Sequence, residues 1–123
     1  MTAHTYRDLI VWKKSIQLVL DVYKLTEKFP KEEIHGLTSQ MRRAAISIPS
    51  NIAEGKLRNG AKECRQFLFI AYGSGGELET QIEIAKQLSR TKDLAYTDVE
   101  LILSEVMKIL NVLIYKSDLT SNA

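Results

Sequence analysis

The sequence is poor in the residues that stabilise secreted proteins or anchor membrane proteins. It has 123 residues with one cysteine and two prolines, and no uninterrupted apolar run of membrane-spanning length, about 18 residues. Because Cys64 is alone, no internal disulfide can form. The first residues also lack the basic-then-apolar order of a signal peptide. We therefore expect a single cytoplasmic domain spanning residues 1–123.

Histidine is equally scarce, and its positions argue against catalysis and metal binding. Glu32-x-x-His35 has the spelling found in di-iron helical bundles, but those sites need a second such motif and two further glutamates. A nucleophilic serine or cysteine would have to recruit His4 or His35 from the end of an element. Glu79 and Glu83 share a helical face, which is typical of a solvated or interface-facing acidic surface. We expect no catalytic residue, metal ligand or cofactor.

Charge is nearly balanced overall, at +2, but it is unevenly distributed along the chain. Residues 42–65 contain six basic and two acidic residues, whereas residues 77–105 contain three basic and seven acidic residues. Because the guanidinium fork matches phosphate, the basic segment predicts nucleic-acid binding through the backbone, with RNA or DNA as partner. Alternatively, the two segments pair within or between subunits of a scaffold. The predicted contact residues are Arg42, Arg43, Lys56, Arg58, Lys62 and Arg65.

The first helical segment, residues 8–28, carries two apolar stripes. Packing into a small bundle requires only one of them, so the second stripe predicts burial against another subunit. Phe29-Pro30 ends the segment, because a residue before proline avoids helical dihedrals. The first stripe is Leu9, Trp12, Ile16, Val19, Leu20 and Tyr23, and the second is Val11, Leu18, Val22, Leu25 and Phe29.

The second segment, about 34–57, contains Pro49 in its interior. Its apolar residues keep their helical phase on both sides of Pro49, which predicts a kinked helix rather than a broken one. Its polar stripe includes Arg43, Ser47, Ser50 and Glu54. Besides phosphate contact, this stripe has a structural interpretation. Arg43 would pair with acids of the third helix, and a serine hydroxyl would bond backbone groups freed by the proline.

The remaining segments complete an all-α chain. The third, about 61–89, has Gly73 to Gly76 in its middle, which predicts a close helix–helix approach or, alternatively, a local break. The fourth starts near Thr97, which with Glu100 fits a capping box, and we expect its tail to be frayed from Thr120 onward. No strand pattern is present, so we expect an antiparallel up-and-down four-helix bundle. The predicted inner face of the fourth helix is Val99, Ile102, Val106, Ile109, Leu110 and Leu113, with Leu103, Val112 and Ile114 at or beyond its edges.

Several strings occur in an order that resembles a known family. They are Asp8-Leu-Ile-Val-Trp12, Phe29-Pro30, Gly36-Leu-Thr-Ser-Gln-Met-Arg-Arg43, Ser47-Ile-Pro-Ser-Asn-Ile-Ala-Glu-Gly55 and Glu77-Leu-Glu-Thr-Gln81. Over about residues 6–115 the chain resembles the four-helix bundle proteins encoded in 23S rRNA intervening sequences. These are related to the accessory variability determinants of diversity-generating retroelements. The resemblance implies a bacterial, cytoplasmic homopentamer and, for the retroelement branch, nucleic-acid and reverse-transcriptase partners.

Overall fold

Four α-helices make up most of residues 5–121, the part of the chain that the computed structural model describes. They are α1 (Ile10–Thr26), α2 (Leu37–Leu57), α3 (Ala61–Gln87) and α4 (Thr97–Ser121). Short 3₁₀ turns at Tyr6–Asp8 and Lys31–Glu33 precede α1 and α2, and no strand occurs within these residues. His4 and residues 122–123 lie outside the described residues. The predicted frayed tail begins at Thr120, and its first two residues, Thr120 and Ser121, belong to α4.

The helix boundaries follow local signals in the sequence. Thr5 caps the first turn by accepting a hydrogen bond from the Arg7 N–H, and its own N–H donates to Asp8. Gly60 separates α2 from α3 with φ of +104°, a conformation that L side chains rarely adopt. At the start of α4, the first helical hydrogen bond runs from the Glu100 N–H to the Tyr96 carbonyl, so Tyr96 is the N-cap and the predicted Thr97 cap is one residue late.

Each helix contributes one face to a common hydrophobic core. In α1 and α4 the sequence offers more than one apolar face, and the structure shows which of them is buried. In α1 the second predicted stripe is the core, whereas the first is partly exposed, so the expected assignment of the two stripes is reversed. In α4 the predicted edge residues Leu103 and Ile114 are fully buried, and the predicted inner residue Ile102 is only half-buried. Both helices are apolar over more than one face, so periodicity alone does not choose the face.

Both uncertain regions are continuous helix. α2 runs through Pro49, so the proline does not break it. α3 runs through Gly73–Gly76, so the alternative of a local break is wrong. The close-approach prediction is confirmed at Gly75, where an added Cβ would collide with Met107 of α4. Gly55 serves the same purpose between α2 and α3, since an added Cβ would lie 3.0 Å from the Cys64 carbonyl oxygen.

Four pairs of helices pack together: α1 with α2, α2 with α3, α3 with α4, and α1 with α4. Ion pairs reinforce two of these helix pairs at the surface. Lys14 of α1 pairs with Glu105 of α4 at 2.5 Å, and Lys86 of α3 pairs with Glu100 of α4 at 2.9 Å. The hydrogen bond to Glu100 raises the pKa of Lys86 above its ordinary value.

Candidate nucleic-acid interface

The fold divides the predicted basic residues into two groups. Arg42 and Arg43 lie near the start of α2, whereas the other four lie around the turn that joins α2 to α3. At 1.5 Å per residue, the fourteen-residue step from Arg42 to Lys56 spans about 21 Å along the helix. We call the second group the hairpin cluster, which consists of Lys56, Arg58, Lys62 and Arg65.

The hairpin cluster is held together by the close packing of α2 on α3. Gly55 allows the two backbones to approach, and Gly60 makes the tight reversal between them. Lys56, Arg58 and Lys62 are exposed, and Arg65 is half-buried. Four cationic side chains from two helix ends are therefore presented at one turn.

Aromatic rings orient the two arginines of the cluster. The Arg58 guanidinium lies 5.0 Å from the centre of the Phe67 ring, and that of Arg65 lies 5.9 Å from the centre of the Phe69 ring. Arg58 also pairs with Glu54 at 3.1 Å, with both side chains about half exposed. Exposed pairs of this kind contribute only about 0.2–1 kcal/mol, so a phosphate can compete for the guanidinium.

Arg42 has a different environment from the hairpin cluster. Its side chain is half-buried, its Nε–H donates to Thr26 Oγ1 at 2.9 Å, and its guanidinium lies 4.3 Å from the centre of the Tyr23 ring. The Thr26 hydroxyl donates in turn to the Val22 carbonyl at 2.8 Å. Arg42 thus connects α2 to the end of α1. The neighbouring Arg43 is exposed, and its side chain makes no hydrogen bond, ion pair or ring contact with the described side chains of residues 5–116.

The polar stripe of α2 forms part of the seam with α3. The Ser47 and Ser74 hydroxyl oxygens are 2.8 Å apart, and Asn51 Nδ2 donates to both the hydroxyl and the carbonyl oxygen of Ser47. The Ser47 hydroxyl therefore bonds another helix rather than a backbone group freed by Pro49. Our sequence interpretation missed Asn51, although its spacing of four residues after Ser47 places the two side chains on one helical face.

Arg7 is a further cation that the sequence interpretation missed. Its guanidinium lies 5.5 Å from the centre of the Tyr6 ring and 5.7 Å from that of Trp12. Tyr6 and Trp12 line a groove together with Ala53, so the first turn packs beside the C-terminal half of α2. Arg7 is far from the basic segment in sequence, and only the tertiary contact brings it toward this end of α2.

The other candidate chemical groups have structural environments. Burial raises the pKa of the half-buried Cys64 thiol, and the charge of Lys56 partly offsets this effect. Glu32 pairs with Arg90 at 2.9 Å, and backbone hydrogen bonding followed by this pairing lowers the pKa of its carboxyl group. Among the side chains that the structure describes, those of residues 5–116, no three His, Cys, Asp or Glu groups are placed so as to hold a metal ion. No helix within residues 5–121 is long and apolar enough to cross a membrane.

Comparison with known proteins agrees with the motifs in the sequence. No curated protein matches the chain significantly. The family model described as 23S rRNA-intervening sequence protein matches residues 7–112, which include all four helix cores, Pro49 and the hairpin cluster. This match confirms the resemblance, and the chain belongs to the 23S rRNA-intervening sequence protein family.

Proposed function

We propose that this protein is a non-enzymatic homo-oligomer that binds nucleic acid through phosphate contacts made by the hairpin cluster. The observation that supports this most directly is the convergence of four cationic side chains on the α2–α3 turn. Arg42 is not part of this proposed surface, because it is engaged with α1. The single cysteine and the family resemblance support a bacterial, cytoplasmic location.

The chemistry of the hairpin cluster favours backbone contact over base recognition. Arginine can bind phosphate through two parallel N–H groups, and Arg58 and Arg65 are both held against rings. The rings lie on a helix rather than on a sheet that would stack several bases. The proposed binding is therefore electrostatic and tolerant of sequence.

We further propose that the helices form an antiparallel up-and-down bundle with α2 bent at Pro49. The order of the contacts supports the arrangement: Gly75 contacts Met107, whereas Lys86, later in α3, contacts Glu100, earlier in α4. A proline that removes a helical hydrogen bond supports the bend. In this arrangement the hairpin cluster and Arg7 lie at the same end of the bundle.

A salt titration of binding tests the proposed function. If the four residues of the hairpin cluster neutralise four phosphates per subunit, the logarithm of the affinity for duplex DNA should fall with the logarithm of salt concentration with a slope of about −3.6. A variant with all four residues changed to alanine should bind weakly and lose most of this slope. The matched control changes four cations at the opposite helix ends to alanine: Lys28, Lys31, Arg90 and Lys92. No binding of RNA or DNA at low salt, or equal losses in both variants, would contradict the proposal.

A protein-interaction scaffold is the second candidate. It is supported by the contact between Arg42 and α1 and by apolar side chains that remain exposed on α1 and α3. For the retroelement branch of the resemblance, the partner would be a reverse transcriptase. Retention of such a partner by the four-alanine variant, together with an absence of nucleic-acid binding by the wild type, would favour the scaffold.

A further inference from the structure

The groove between α1 and α2 has two aromatic rings and a guanidinium at one end, and we propose that this end binds an unpaired nucleobase. Tyr6 and Trp12 would stack on the base, and Arg7 and Lys56 would contact the phosphates next to it. This inference rests on the nucleic-acid binding proposed above, and it narrows the ligand to a strand with unpaired bases.

The groove has the size and composition of a site for a small planar ligand. Its volume is about 320 Å³, at the lower end of the range for small-molecule sites, about 300–1,000 Å³. Such sites are mostly apolar and contain a few polar groups that orient the ligand. The exposed Ser50 hydroxyl on the α2 wall can bond to the edge of a base. The aliphatic lining residues are Ile16, Val19, Ile46, Pro49 and Ala53.

The two aromatic residues of the groove lie against each other. The centres of the Tyr6 and Trp12 rings are 5.3 Å apart, and the ring planes meet at 64°. Because the rings meet edge to face, they form a corner rather than a closed parallel stack. Both residues are half-buried, so part of each ring remains accessible to a ligand. Stacking on such rings tolerates any sequence, since every base has a π face.

Arg7 adds a planar cation to this corner. It is exposed, and its guanidinium lies within 6 Å of the centres of both rings. A guanidinium plane can stack on a base, and its N–H groups can bind a phosphate. The groove therefore repeats the combination of arginine and ring that the hairpin cluster shows at Arg58 and Arg65.

Lys56 connects the groove to the rest of the hairpin cluster. It lies three residues after Ala53 and seven after Pro49, and these spacings place all three residues on one side of α2. Along the helix axis, Lys56 is only about 4.5 Å beyond Ala53. Its side chain is exposed, so one strand can place a base in the groove and an adjacent phosphate at Lys56. The following phosphates then reach the other cations of the hairpin cluster.

Charge around the groove favours a ligand that carries phosphates. Residues 5–19 and 46–57 form its walls, and they contain four basic and two acidic residues. Asp8 is engaged in the cap of the first turn, Glu54 is paired within the hairpin cluster, and Lys14 pairs with α4. The three cations that remain exposed are Arg7, Lys13 and Lys56. The local charge is therefore positive, which attracts a polyanion.

A base site of this kind distinguishes unpaired from paired nucleic acid. The bases of a duplex lie inside the helix, and they reach a protein groove only if they are unstacked and unpaired at a cost. A duplex would therefore bind through its phosphates at the hairpin cluster alone, whereas a single strand would use the groove as well. The contribution of the groove is isolated by comparing a strand with bases and a strand without them, because both carry the same phosphates.

The fluorescence of Trp12, the single tryptophan of the chain, reports directly on the groove. Titration with single-stranded oligothymidylate at low salt should change this fluorescence, because the bound base lies against the indole. An abasic strand of the same length should leave the Trp12 emission unchanged. By fluorescence anisotropy of a labelled strand, the abasic strand should also bind roughly 5- to 150-fold more weakly, which is the contribution of one stacked base. Equal affinities for the two strands, with no change in Trp12 emission, would overturn the inference.

Two substitutions in the groove provide a second measurement. Tyr6→Leu removes one ring, and Ala53→Leu fills the groove with a residue that favours helix. Each should lower the affinity for oligothymidylate by roughly fivefold or more and leave the salt dependence of duplex binding unchanged. The matched controls are Tyr115→Leu and Ala95→Leu, which change an exposed tyrosine and an exposed alanine outside the groove. Circular dichroism confirms that each variant is folded.

The outcomes separate this inference from the proposed function. If no nucleic acid binds at low salt, the proposed function is refuted, and the base site with it. If duplex and abasic strands bind with the expected salt dependence but bases add nothing, only the base site is refuted. If Ala53→Leu dissociates an oligomer in analytical ultracentrifugation and does not affect the binding of oligothymidylate, a second copy of the chain occupies the groove, and the inference is overturned.

Discussion

Replacing Pro49 with alanine should stabilise the fold. Pro49 is buried in the interior of α2, where it cannot donate a helical hydrogen bond and its ring crowds the Ala45 carbonyl. A proline in a helix interior costs about 3 kcal/mol relative to alanine. Because α2 continues through this position, the proline destabilises the folded protein, and its replacement should remove this destabilisation.

The gain is reduced by the contacts that the ring makes. Alanine lacks about two buried methylene groups of proline, which at about 0.8 kcal/mol each contribute about 1.6 kcal/mol. The difference predicts that Pro49→Ala raises the free energy of unfolding by roughly 1.4 kcal/mol. For a chain of this length, the midpoint of thermal unfolding should rise by roughly 4–7 °C.

Pro30 supplies the matched control for this experiment. It lies outside the α-helices with φ of −64°, which is the angle that a proline ring favours. Pro30→Ala should therefore lower the free energy of unfolding by about 0.4–1 kcal/mol, because alanine increases the conformational entropy of the unfolded chain. Urea and thermal unfolding should be followed by circular dichroism at several protein concentrations, since self-association adds stability. A loss of more than about 1 kcal/mol in Pro49→Ala, or a gain in both variants, would refute the reasoning.

Three further substitutions test the packing of the bundle. Gly55→Ala should lower the free energy of unfolding in urea by roughly 1–2 kcal/mol, because the new methyl group meets the backbone of Cys64, and unchanged stability would contradict this contact. Arg42→Lys should cost roughly 1 kcal/mol, since lysine cannot reproduce both the stacking on Tyr23 and the hydrogen bond to α1; a neutral effect would count against the pair. Burial raises the pKa of Tyr96, so the folded protein favours the protonated phenol. The contribution of Tyr96 to the free energy of unfolding should therefore be fully present below about pH 10 and be lost as the pH rises through its raised pKa. Tyr96→Phe should remove that alkaline loss in urea curves recorded between pH 8 and 11, and a parallel decline in both proteins would refute it.

Local signals in the sequence were sufficient to place the helices. The 3.6-residue period identified four helical segments, and Asn59-Gly60, a pair that is typical of turns, lies at the reversal between α2 and α3, where Gly60 has a positive φ. These features depend on neighbouring residues, so they can be read before the fold is known. The predicted ends differ from the observed ones by no more than three residues.

The choice between apolar faces could not be made in this way. Periodicity shows which residues share a face of a helix, but it does not show which face meets another helix. In α1 the stripe containing Val11 and Leu18 is buried, whereas the stripe containing Ile16 and Leu20 is partly exposed. Both stripes have similar apolar content, so the outcome depends on the other three helices. The exposed stripe nevertheless carries information, because it marks the face available to another molecule.

For the charged residues of the basic segment, residues 42–65, the sequence likewise does not show which side chains face another helix and which face solvent. Arg42 and Arg43 are adjacent in sequence, yet a helix turns by about 100° between them. One arginine consequently faces α1 and binds Tyr23 and Thr26, and the other faces outward. A count of charges over the segment treats the two arginines alike, although only Arg43 is exposed in the structure. Conversely, packing of the first turn brings Arg7 beside α2 from a distant part of the chain. The surface that meets a phosphate backbone is therefore determined by helix phase and by contacts between helices, and the hairpin cluster is its best-defined part.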